Sequence, residues 1–101
     1  MSVIEEIAAE RKRQIEGEGF ASEHDDKHVP GELARAAACY AVSCVQPYFK
    51  AGSPAQYRHA YWPWGEEWWK PKGFRRDLVR AAALIVAEIE RVDRMSEREA
   101  G

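Results

Sequence analysis

The chain has 101 residues, enough for one domain around a single small core. Apolar residues make up 46% and charged residues 32%, a globular balance that excludes a disordered chain, while a formal net charge of −2 excludes bulk attraction to a polyanion. No apolar run is long enough to cross a bilayer, and the N-terminus, MSVIEEIAAERKRQ, has acids where a secretory leader needs bases, so a cytoplasmic protein with no membrane partner is expected.

The first helix is expected from Ser2 to about Glu16. Ser2 and Glu5 form the capping pattern S-x-x-E, and Ile4, Ile7, Ala8, Arg11 and Ile15 share one face, where Arg11 lays its stem along the apolar surface. Gly17 and Gly19 end it. Phe20 to Val29 reads as a polar connector. Pro30 then suits a helix first turn, and the second helix runs to about Val45, where Pro47 stops it. Leu33, Ala36, Ala37, Tyr40, Ala41, Cys44 and Val45 make a full helical stripe, rich enough in alanine for a neighbouring helix to approach closely. Cys39 and Cys44 point in different directions on this helix and read as reduced core hydrophobes.

The third helix spans Arg75 to about Arg94. Leu78, Ala82, Ile85, Ile89 and Val92 alternate in steps of four and three, and Val79, Leu84 and Val86 widen the apolar face. Such a face suggests more than one neighbour, and a homo-oligomer is one way to cover it. Glu88 with Arg91, and Glu90 with Arg94, are expected to pair along the exposed side. Residues 96–101 are polar and expected to fray. The fold class expected is an all-α, three-helix domain over residues 1–101, without strands.

Between the second and third helices lies a long segment, Gln46 to Gly73, which holds all four tryptophans within YWPWGEEWWKP. Pro54 to Tyr61 is a candidate short helix. Two uses compete for the indoles. Closing a small core should take up at least two of them, whereas any exposed remainder, beside Lys70, Lys72, Arg75 and Arg76, offers ring faces for stacking and cations for phosphate. Arg75 and Arg76 crowd the positive end of the third helix, which calls for an anionic ligand or for carboxylates such as Glu66, Glu67 and Asp77.

A second candidate is the acid-histidine cluster Glu23, His24, Asp25, Asp26 and His28, followed by Glu32. Its residue types suit a divalent metal, and equally suit capping of the next helix. Asp77, Glu88 and Asp93 on the third helix are further carboxylates, read as a solvated face. No nucleophile–histidine–acid arrangement, Walker loop or dinucleotide fingerprint is present.

The segments RKRQIEGEGF, EHDDKH, GELARAAACYA, WPW, WWKP and RRDLVRAAALIVAEIER, which cover most of the chain, resemble a family of small bacteriophage and prophage proteins. The resemblance implies a mobile-element origin and a bacterial cytoplasm, in a class whose members often act on host defence or nucleotide pools. A weaker likeness is to MazG-like nucleotide pyrophosphohydrolases, which hold magnesium with ExxE and ExxD pairs. Here Glu32 is followed by Arg35 where the second acid would stand, and the third helix lacks a clean ExxD.

Three functions follow as expectations. The first is a cofactor-free binder of a small phosphorylated, nucleotide-like ligand, by which a phage sequesters a defence signal. It would use Trp62, Trp64, Trp68 and Trp69 for stacking, Lys70, Lys72, Arg75 and Arg76 for phosphate, and Asp25, Asp26 and His28 for polar edges. The second is an inhibitor of a host protein complex. The third is a magnesium-dependent hydrolase using Asp25, Asp26, Glu32 and Asp77.

Overall fold

The structure is a computed structural model that describes residues 1–18, 31–49 and 62–100, with side chains placed for 1–17, 31–42 and 62–99. Among these residues there are three α-helices and no strand: α1 (Val3–Glu18), α2 (Glu32–Phe49) and α3 (Phe74–Ala100). A single 3-10 turn, Glu66–Trp68, lies in the segment entering α3. This is the all-α, three-helix class expected. The connector Phe20–Val29, Pro30, the candidate helix Pro54–Tyr61 and the side chains of Cys44 and Val45 lie outside the described residues.

Each helix starts on a local device. At α1 the Ser2 hydroxyl accepts the Glu5 N–H and the Glu5 carboxylate accepts the Ser2 N–H, both at 3.1 Å. The Ser2 backbone N–H foremost, and then the Ser2 side chain, hold the Glu5 carboxyl below its ordinary value. α2 and α3 both follow a glycine at positive φ, Gly31 at 90° and Gly73 at 142°. Their carbonyls accept the first helical bonds, from Arg35 and Asp77. The Gly31 N–H donates to Glu88 of α3 at 3.1 Å, so α3 closes the start of α2.

The ends differ from expectation. α2 continues past Pro47 to Phe49; in the last turn the proline removes a single internal hydrogen bond, the one its missing N–H would give the carbonyl four residues back. α3 continues through residues 96–100, where Glu97, Arg98, Glu99 and Ala100 are good helix formers.

The core is built on α2. Leu33, Ala36, Ala37, Cys39 and Tyr40 are buried against Ala81, Leu84 and Ala87 of α3, with Trp62 closing the cluster. The α2 stripe is as expected over its described part. The face of α3 is so only in part: Val79 and Leu84 are buried as expected. Leu78, Ile85, Ile89 and Val92 are 43–55% exposed and Val86 is 36% exposed, while Asp77, Arg80, Ala81, Leu84, Ala87 and Arg91 are buried. The physical reason is the alanine on both helices: small side chains let the backbones approach, and a seam of branched aliphatics would hold them apart. The polar members of that buried face are all satisfied. Arg91 pairs with Glu88 in a buried setting, not on the exposed side as expected, and Glu90 accepts from Arg11 of α1 at 3.1 Å.

α1 docks on α3 through charge. Its expected face is rotated in part: Arg11 is buried and Ile7 half-buried as expected, but Ile4 is 75% exposed, Ala8 and Ile15 also face water, and Glu10 and Gln14 are buried. Glu10 accepts from Arg13 through both oxygens at 2.8 Å, from Gln14 at 3.2 Å and from Arg76 of α3. Burial alone would push the Glu10 carboxyl up, but the hydrogen bonds from Arg13 and Arg76 outweigh it and hold it below its ordinary value. Glu6 takes a two-pronged bond from Arg75 at 2.6 and 2.8 Å, which likewise lowers its carboxyl.

Replacing Glu10 with alanine removes three donors' acceptor and should cost roughly 1–3 kcal/mol in urea unfolding. Acid should act in the same direction. Because both carboxyls are lowered on folding, their contribution is complete above the ordinary carboxylate value and is lost as pH falls through the folded values. The urea midpoint should therefore hold steady near neutrality and fall on the acid limb, with a smaller fall in Glu10→Gln.

Candidate functional site

The segment from Trp62 to Gly73 returns the chain from the aromatic stretch to α3, and its indoles decide its shape. Trp62 is 8% exposed, with its Nε1–H donating to the Gly65 carbonyl at 3.1 Å. Around it stand Tyr40 at 5.6 Å, Trp64 at 5.3 Å and Trp69 at 5.0 Å, all edge to face, while Trp69 also stacks on Tyr40 at 4.8 Å. Trp64 and Trp69 are partly buried against the same core. Three of the four indoles therefore close the core. Trp69 Nε1 has no hydrogen-bond partner among the described residues.

The backbone between them is clamped. Lys70 donates its N–H to the Tyr40 hydroxyl at 3.3 Å, and its carbonyl accepts from Arg80. The Arg80 guanidinium lies 4.6 Å from the Tyr40 ring centre and is buried. Neither role of Arg80 was anticipated. The available signal was its spacing, three after Asp77 and four before Leu84, in phase with the buried side of α3.

Trp68 is left outside, 49% exposed, at the end of the 3-10 turn. The Lys70 ammonium lies 5.5 Å from its ring centre. Lys72 is exposed two residues on. Arg75 and Arg76 are also at the surface in part, but each is engaged by an acid of α1, Glu6 and Glu10 respectively. The cations at the positive end of α3 are thus balanced from α1, whose acids periodicity alone could not place there. Glu66 and Glu67, proposed for that task, are exposed within the 3-10 turn.

The acids fall into separate places. Asp77 is 1% exposed and accepts the N–H groups of Lys72 at 2.8 Å and Gly73 at 3.3 Å, so it serves the start of α3. Glu32 accepts the Trp64 Nε1–H at 3.2 Å. Glu88 serves Gly31 and Arg91, and Asp93 is exposed. Among the described residues no three histidine, cysteine or acidic side chains gather as a metal group. Asp25, Asp26 and His28, with Glu23 and His24, lie outside the described residues. Cys39 is buried, and that burial pushes its thiol up, against a smaller lowering by Arg35. Among the described residues no helix is long and apolar enough to cross a membrane.

Comparison with known protein families, with curated proteins and with solved structures finds no match for this chain. The segment is an aromatic plug that displays Trp68, Lys70 and Lys72 on one short stretch.

Asp77→Ala tests the capping role. It leaves two N–H groups of the α3 entry without an acceptor and should lower stability by about 0.5–2 kcal/mol, read by thermal unfolding followed at the helical circular-dichroism band. Asp77→Asn, which keeps one accepting oxygen, should lose less.

Proposed function

We propose that the chain acts by binding and not by turnover, as a phage-type accessory protein that captures a small phosphorylated, nucleotide-like ligand and so withdraws a host defence signal. Trp68 carries this reading. Its ring is open to stacking, an ammonium already lies within cation–π distance, and Lys72 adds a second charge nearby. The other three indoles hold the segment against the core, so little order has to be created when a ligand arrives. Phosphate contacts fall to Lys70 and Lys72 first. Arg75 and Arg76 would have to trade Glu6 and Glu10 for the ligand.

The competing hydrolase reading needs acids free to hold magnesium. Two of its four candidates, Glu32 and Asp77, already accept hydrogen bonds from the chain itself, which favours binding. A second binding reading, inhibition of a host protein complex, is favoured by Phe74, 48% exposed and close in sequence to Trp68, since aromatic and basic side chains together make interface anchors.

Calorimetry of the folded chain against a panel of mononucleotides, dinucleotides and cyclic nucleotides tests the first reading. Heat is expected from at least one member. Trp68→Ala should weaken that binding by about 5- to 150-fold, the value of one base–indole stack. Silence across the panel overturns it. Retention of a host protein in a pull-down, lost in Trp68→Ala, supports the second reading instead.

A further inference from the structure

We propose that α3 is the interface of an antiparallel homodimer, with a second copy of this chain covering the outward stripe Leu78, Ala82, Ile85, Ile89 and Val92. α3 carries two interleaved registers. Asp77, Arg80, Leu84, Ala87 and Arg91 step by three and four and are buried within the chain. Leu78, Ala82, Ile85, Ile89 and Val92 step by four and three and, apart from half-buried Ala82, stand in water. The outward register holds the more apolar residues, and its regular spacing is that of a helix–helix seam, about 21 Å long at 1.5 Å per residue. Ala82 near its middle allows close approach.

The size suits a partner helix. With Val86 and Phe74 alongside, the exposed fractions amount to on the order of 500 Å² per copy, near the upper limit for the largest patch on a monomer. Two such faces bury about 1,000 Å², the threshold of a specific interface.

A second copy supplies a face of the same area and the same spacing. Antiparallel pairing also opposes the two helix dipoles, whereas parallel pairing sets like ends together. The two-fold axis then passes close to Ile85. An isologous contact of this kind closes at two copies.

Sedimentation equilibrium of the full chain tests the proposal. The expected mass is twice 11.5 kDa at micromolar concentration. Ile85→Glu should give the monomer with unchanged helical circular dichroism, because Ile85 touches water within one chain. Leu78→Lys and Val92→Glu should each be monomeric alone and dimeric when mixed, since the two changes meet across the antiparallel seam. A monomeric native chain, a dimer that survives Ile85→Glu, or a Leu78→Lys and Val92→Glu mixture that stays monomeric overturns it.

Discussion

The small-residue contact between α2 and α3 governs the rest of the molecule. Ala36 and Ala37 on one helix and Ala81 and Ala87 on the other bring the backbones together, with Leu33, Leu84 and Tyr40 filling the space around them. This contact fixes how α3 is turned about its axis. Once Ala81, Leu84 and Ala87 point at α2, Asp77, Arg80 and Arg91 must point the same way, and Leu78, Ile85, Ile89 and Val92 must point elsewhere. Hydrogen bonds make the arrangement tolerable: each polar group brought inward finds a partner, Asp77 at Lys72 and Gly73, Arg80 at Lys70, Arg91 at Glu88.

The same rotation organises the aromatic segment. Arg80 is placed over Tyr40 and holds the Lys70 carbonyl, which anchors the chain between Trp69 and α3. Three indoles are drawn into the core and the fourth is displayed. It also sets Arg75 and Arg76 toward α1, where Glu6 and Glu10 meet them. α1 is consequently attached largely by charge, a mode sensitive to acid and salt in a way the α2–α3 contact is not.

How much of this was legible follows from the kind of signal each element carries. The α2 stripe was readable because hydrophobicity and burial coincide there, from Leu33 to Tyr40. The existence of α3 was readable from period alone, but not its orientation, because two registers share the helix and the more apolar one faces out. A single sequence shows which residues are apolar, not which molecule covers them. The inward face of α1 was legible only in part, Arg11 lying where expected: Glu10 is held by Arg76 from far along the chain, and periodicity contains no information about such a pair. For the candidate site, the expectation that at least two indoles close the core was met by Trp62, Trp64 and Trp69. Trp68 could not be singled out beforehand, since four neighbouring indoles look alike until the clamp at Lys70 is known.

The orientation of α3 can be tested with two substitutions, two residues apart, compared by equilibrium unfolding. Ala87→Leu forces a large side chain into the contact with α2 and is predicted to lower stability by about 1–3 kcal/mol or to abolish cooperative unfolding. Ile89→Gln, on the opposite register, is predicted to leave a cooperative, fully helical fold. Tolerance at Ala87 together with collapse at Ile89 would mean that the aliphatic stripe is the true inner face, and the account given for α3 would be wrong.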